Sequence, residues 1–234
     1  MDKWFVRRYH RYFEEVKFQV KDNANILIIG ANDGITRDPI RQMWNNTWTG
    51  YFFEPNNVAF QRLEKTINAH DRAFNCAVAV SSKEIILWRM IPTVANAYEK
   101  LKGDHGSSLT SINMEQITDR LKRNLPKLVK EMGGVEKMVV SQYMPTMAIS
   151  TIIKQLNCNF AVIQIDVEGM EVSLLHEIRG YVASGQLKPH IILFEHQHML
   201  PASLNRIIKG FTDIRHYSAE LLKNDTMIVR ERFK

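Results

Sequence analysis

The sequence predicts an α/β domain with a mostly parallel sheet, and three observations carry the prediction. The apolar run Ile26-Leu27-Ile28-Ile29 ends abruptly in Gly30-Ala31-Asn32-Asp33-Gly34, as a buried strand does when it delivers polar and glycine residues to one edge of a sheet. Phe160 to Ile165 does the same before Asp166-Val167-Glu168-Gly169. Strand-like and helix-like segments then alternate over most of the chain, the order that gives parallel strands with helices on both faces. Ligands of such proteins bind beyond the carboxyl ends of the strands.

At 234 residues and 45% hydrophobic, the chain is long enough to bury a full core. It contains no internal repeat, low-complexity tract or linker, so residues 1–234 read as one domain. Cys76 and Cys158 lie in or beside apolar runs without the spacing of a zinc site, which suits buried, reduced thiols of a cytoplasmic protein. The first 20 residues include Arg7, Arg8, Arg11, Glu14 and Glu15 where a secretion signal needs an unbroken apolar core. No window reaches the roughly 18 apolar residues of a membrane span. The net charge of +6 mixes 31 basic with 25 acidic residues, so nothing singles out nucleic acid as a partner.

Along the chain, Trp4, Phe5, Arg8, Tyr9, Tyr12, Phe13 and Val16 fall at helical spacing and predict an amphipathic capping helix within residues 1–21. Its basic, aromatic surface also offers a peripheral membrane contact. After the first strand, a helix is expected over Ile35 to Trp44, a strand over Tyr51 to Phe53 stopped by Glu54-Pro55, and a helix over Asn57 to Asn68. Ala73 to Val80 and Ile85 to Met90 read as strands able to pair as a hairpin through Ser81 to Glu84. Residues 91–147 break the alternation and read as an insertion lining the substrate site, with a helix over Ile112 to Met132 kinked at Pro126 and a strand over Val135 to Met144. Ser150 is placed to cap a helix over Thr151 to Leu156. A central strand over Phe160 to Ile165, a helix over Glu168 to Ile178, a strand over His190 to Phe194 and a helix over Pro201 to Lys209 follow. Phe211 to Tyr217 and Met227 to Arg232 are expected to close the sheet as an antiparallel pair.

The turn after the first strand carries the first chemistry. A dinucleotide fingerprint places a glycine where a pyrophosphate approaches, but Asn32 stands there, which favours a ligand without a phosphate at this turn. Glu54, 20 residues after Gly34, is positioned to accept hydrogen bonds from a ribose diol.

With these features, IDVEGME at 165–171, FEP at 53–55, GSSL at 106–109 and LFEH at 193–196, the chain from about Asn25 to Arg232 resembles the FkbM family of S-adenosylmethionine-dependent methyltransferases. The resemblance implies a Rossmann-like sheet of seven strands, mostly parallel with an antiparallel C-terminal strand, and methyl transfer to oxygen, commonly a hydroxyl of a sugar or glycoconjugate. It implies that Gly30, Asn32, Gly34 and Glu54 hold the cofactor and that Ser107 and Ser108 contact it from a loop. Three positions depart from the pattern: Ile28 replaces an acid two residues before the first glycine, Gln164 replaces a lysine, and Ile149-Ser150 replaces Leu-Asp. The loss of the acid makes Asp33 the expected partner of the cofactor's amino group.

Methyl transfer needs an aligned acceptor, a group that takes the hydroxyl proton and exclusion of water. Asp166, expected both to contact the cofactor and to act in catalysis, and Glu168, a further catalytic candidate, leave the central strand beside the cofactor turn, and Glu195, His196 and His198 leave its neighbour, so one pocket is expected to gather them. Two mechanisms follow. In one, His196 or Asp166 is the general base; in the other, Asp166, Glu195 and His196 bind Mg or Mn, which lowers the pKa of a coordinated hydroxyl. Glu171, three residues past Glu168, has the helix N-terminus as an alternative place. Competing functions fit less well: an RNA methyltransferase finds no (D/N)PP(Y/F) motif or catalytic cysteine here, Asn32 opposes a nicotinamide oxidoreductase, and the strand-end acids and histidines oppose a non-catalytic nucleotide-binding module. A small-molecule or glycan acceptor is therefore the expected partner.

Overall fold

Strand β1 (Asn25–Ile29) lies inside a seven-stranded sheet, third from one edge, and its last four residues are buried. The computed structural model describes residue 14 and residues 23–35, 40–41, 47–81, 83–102, 109–167, 169–222 and 224–231. The expected N-terminal helix lies outside them except for Glu14, which is helical, and so does most of the helix expected over Ile35 to Trp44.

On one side β1 pairs in parallel with β2 (Thr49–Phe53), and β2 with β3 (Arg72–Phe74). On the other it pairs in parallel with β9 (Phe160–Ile165), and β9 with β10 (Ile191–Glu195). The sheet order is therefore β11-β12-β10-β9-β1-β2-β3, in which β12 (Asp225–Arg230) runs antiparallel to β10 and to β11 (Tyr217–Leu221). Strand order reverses between β1 and β9, the place where doubly wound sheets leave a crevice.

Side chains alternate between two cores, as a period of two requires. Leu27, Ile29, Ile163, Ile165, Ile192 and Phe194 face helices α5 (Ile149–Leu156), α6 (Glu171–Ala183) and α7 (Pro201–Thr212). Ile26, Ile28, Phe52, Val162, Ile191 and Leu193 form the other core with Leu63 of helix α1 (Asn57–Leu63), Ile40 and Trp48. All six residues of β9 are buried, which explains why its sequence is apolar at every position but Gln164. Among the described residues no helix is long and apolar enough to cross a membrane.

Between β3 and α5 the chain builds a second layer. Strands β4 (Ala77–Ala79) and β8 (Thr146–Ala148) pair in parallel, while β5 (Ile85–Met90) pairs antiparallel with both β6 (Thr110–Ser111) and β7 (Val139–Met144). Helices α2 (Pro92–Lys102), α3 (Met114–Asn124) and α4 (Pro126–Glu131) back the three-stranded sheet through Val94, Tyr98, Ile117 and Leu121, packed against Met90 and Val139.

This layer corrects several sequence expectations. No hairpin joins 73–80 to 85–90, because β3 pairs with β2, β4 with β8 and β5 with β6 and β7; Asn75, between β3 and β4, donates its side-chain N–H groups to the carbonyls of Glu54 and Pro55. The helix expected over 112–132 is two helices divided at Leu125. Residues 135–138 form a 3-10 turn ahead of β7. Ser150 does not cap α5, which begins at Ile149; the Glu177 carboxylate of α6 accepts the Ser150 N–H instead. Phe211, expected in a strand, ends α7 in the core, and the antiparallel partner of β12 begins only at Tyr217.

Candidate functional site

A cavity opens beyond the carboxyl ends of β1, β2 and β9. Ile29, Gly30 and Asn32 line it from β1 and its turn, Phe53, Glu54 and Pro55 from β2, and Asp166, Val167 and Met170 from the segment after β9. Val78, Ile85, Leu87 and Thr110 close it from the second layer.

Glu54 is the most constrained polar group on this wall. It is 5% exposed, and its Oε2 accepts the Asn32 N–H at 2.8 Å while Oε1 accepts the Asn56 N–H at 2.7 Å. Asn56 in turn caps α1, accepting from the N–H groups of Val58 and Ala59. Asn32 holds a left-handed backbone with φ 50°, and its side-chain Oδ1 is buried with no hydrogen-bond partner among the described residues. Burial pushes the Glu54 carboxyl up from 4.5 to about 7, against the two N–H groups that pull it down.

That shift has a sign in stability. The folded chain holds the Glu54 proton more tightly than the unfolded chain, so this contribution is full below pH 4.5 and is lost as the pH rises to about 7. At roughly 1.4 kcal/mol per unit, the loss is about 3 kcal/mol. His190, lowered from 6.5 to about 4 by burial and then by the Arg230 charge, acts oppositely: its contribution is present above 6.5 and is lost as the pH falls towards 4. The two slopes offset each other over the shared window. Urea unfolding of Glu54→Gln should therefore show a steeper loss of stability between pH 6.5 and 4.5 than the wild type; parallel profiles would contradict the assignment.

Both turn glycines are also required by the packing of the protein around them. A Cβ on Gly30, at φ +83°, would lie 1.7 Å from the Asp166 carbonyl oxygen. A Cβ on Gly34, at φ +73°, would lie 2.7 Å from a Leu63 methyl. Gly30 lines the cavity, whereas Gly34 and Asp33 are not among its lining residues. The Asp33 carboxylate accepts the Ile35 N–H at 3.0 Å and its carbonyl accepts the Thr66 hydroxyl, so the side chain shapes the turn.

Asp166 follows β9, with its N–H bonded to the Ile29 carbonyl and its exposed side chain at the cavity. Glu171 is buried at the start of α6 and accepts from the N–H groups of Val167 and Gly169, closing the loop that carries Asp166. This is the helix N-terminal place considered for it in the sequence.

A strand-end cavity with a buried acid after β2 and an acid after β9 is thus assembled from the motifs read in the sequence. The model of the methyltransferase FkbM domain matches residues 29–220. The chain belongs to the FkbM methyltransferase family. No curated protein matches the sequence. Among solved structures, the SAH-bound methyltransferase PaMTH1 of Podospora anserina shares 10% identity, with 96% of this chain and 78% of that one covered and a TM-score of 0.45. The ribosomal protein L11 methylase of Lactobacillus delbrueckii subsp. bulgaricus shares 7%, with 94% and 77% covered and a TM-score of 0.38.

In this FkbM chain the expected residues are gathered only in part. Gly30, Asn32, Glu54 and Asp166 share the cavity; Ser107, Ser108 and Glu168 lie outside the described residues. Glu195 ends β10, one residue beyond the Phe194–Ile165 pairing, and His196 turns its Nδ1 to the Thr226 hydroxyl of β12 at 2.9 Å. Neither lines the cavity, and among the described residues no three histidine, cysteine or acidic side chains converge to hold a metal. The expected Mg or Mn site of Asp166, Glu195 and His196 is therefore not assembled. Sequence reasoning misses Ile85, Leu87 and Thr110 as lining residues, since their place depends on β5 pairing with strands far along the chain.

Proposed function

We propose that the protein binds S-adenosylmethionine in this cavity and transfers its methyl group to a hydroxyl oxygen, the acceptor being a sugar or glycoconjugate. The observation that carries the reading is the Glu54 carboxylate, buried at the end of β2 and fixed by two backbone N–H groups. Each of its oxygens accepts one of those bonds and retains a lone pair for a ribose hydroxyl. Asn32 Oδ1 adds a buried acceptor lacking a partner among the described residues, so the acceptor set fits a ligand rich in hydroxyl and ammonium hydrogens. Phe53, Val78 and Leu109 supply apolar surface for an adenine.

When bound, the cofactor supplies an electrophilic methyl group on a sulfonium. The chain's part is to hold the acceptor oxygen in line with that group, exclude water and take up a proton. Asp166 is the base in this reading: its side chain is at the cavity, and its carboxylate accepts the hydroxyl proton as the oxygen attacks. Glu171 holds the loop that places it.

Isothermal titration with S-adenosylmethionine tests the cofactor half. Because the ionised Glu54 is the acceptor, affinity should be constant above pH about 7 and fall as the pH drops below it. Glu54→Gln should weaken binding about 10- to 100-fold, the scale of losing hydrogen bonds to a charged group. No binding by the folded wild type would sink the reading. Transfer of labelled methyl to sugar hydroxyls, located by mass spectrometry, tests the other half.

A further inference from the structure

The three-stranded sheet of the second layer has two distinct faces. Trp88 and Met90 pack on the helical side, while Ile85 and Leu87 line the cavity. By the alternation of a strand, Arg89 stands on the same face as Ile85 and Leu87. Its register partner on β6 is Thr110, another lining residue, so Arg89, which does not itself line the cavity, stands next to its wall on that side.

Arg89 is half-buried, and its Nε donates to Gln142 Oε1 at 3.2 Å from the neighbouring strand β7. That bond fixes the plane of the guanidinium and leaves its terminal N–H groups to point elsewhere. No acidic side chain among the described residues forms an ion pair with it, in contrast to Arg41, which pairs with Asp71, and Arg62, which pairs with Glu99. An arginine oriented by an amide and lacking a carboxylate among those residues, beside a ligand cavity, is arranged to receive one from outside. A guanidinium fork matches the two oxygens of a carboxylate or phosphate.

We infer that Arg89 selects acceptors carrying an oxyanion, a carboxylate or a phosphate, near the hydroxyl that is methylated. This rests on the proposed methyl transfer for the identity of the site and narrows the acceptor class to acidic or phosphorylated sugars. Gln142 is then a positioning residue, which holds the fork in the plane that meets the anion.

Binding and turnover are measured separately, so that the two readings can fail independently. Protein saturated with S-adenosylhomocysteine is titrated with galacturonate, galactose 6-phosphate and galactose. The wild type should bind at least one of the two anionic sugars about 10- to 100-fold more tightly than galactose, which of them revealing whether carboxylate or phosphate fits. Arg89→Met should abolish that preference while leaving S-adenosylhomocysteine affinity and the melting temperature unchanged. Arg89→Lys should retain part of the preference, since charge remains but the fork is lost. Gln142→Ala should bind the anions with an affinity between that of Arg89→Lys and that of the wild type. Preference that survives in Arg89→Met, or its absence in the wild type, overturns the inference. Arg89-dependent anion binding without methyl transfer would uphold it and remove the O-methylation reading; methylation of all three sugars at equal rates in both wild type and Arg89→Met would do the reverse.

Discussion

Replacing Asp166 by Asn is expected to lower kcat by about two to four orders of magnitude, the range that general-base help supplies. The substitution keeps the shape of the side chain and does not disturb the backbone bond from the Asp166 N–H to Ile29, so the turn at Gly30 stays in place. Titration with S-adenosylmethionine should therefore give an affinity within a few-fold of the wild type. A loss of turnover with retained cofactor binding assigns the defect to the proton transfer; an unchanged kcat would move the base to another residue. His196→Asn provides the contrast. With its Nδ1 engaged by Thr226 and its ring absent from the cavity lining, that substitution should cost far less than Asp166→Asn, and an equal loss in both would favour the histidine.

The reason these two candidates separate in space but not in sequence is local. Both follow a central strand directly, and strand ends alone place them at one sheet edge. What divides them is the alternation within each strand and a single cross-strand contact to Thr226, neither of which spacing reports. The same limit applies to Asp33, whose carboxylate is occupied by the N–H of Ile35 two residues on. Glu54 is legible because its position depends on short-range facts: a buried strand, a following proline and an asparagine that caps the next helix.

Fold and sequence diverge in the same way. β1, β9 and β10 are readable since strands buried on both faces are dominated by apolar residues, interrupted only at Asn25, Gln164 and Glu195. The run at 73–80 misleads because Asn75 interrupts it through bonds to the Glu54-Pro55 carbonyls, a tertiary contact with no trace in hydropathy. The partners of β5 are β6 and β7, about 20 and 50 residues later in the chain, so the nearby Ser81 to Glu84 turn suggests a hairpin that competes with long-range pairing. At the C-terminus, Phe211 fits the strand pattern as well as it fits the buried side of α7, and short apolar runs do not distinguish the two.

Gly30→Ala should be the most disruptive single-methyl change in the chain's site. Two penalties act at once. The φ of +83° is costly for any residue with a Cβ, about 1–2 kcal/mol, and the new methyl would sit 1.7 Å from the Asp166 carbonyl oxygen. Relief requires β1 and the segment after β9 to separate, and the parallel pairing of Ile29 with Ile165 and the Asp166 N–H bond to Ile29 resist it. Overpacking of this kind adds about 1–3 kcal/mol, so a total of about 2–5 kcal/mol is expected in urea unfolding. Gly34→Ala meets a flexible Leu63 methyl and a hydroxyl rather than backbone, so its cost should be smaller. Because the displaced group at Gly30 is the backbone of Asp166 itself, whatever Gly30→Ala protein folds should also lose kcat, whereas folded Gly34→Ala should retain most of it. Equal stabilities for the two variants would show that the β1–β9 edge yields more easily than its hydrogen bonds imply.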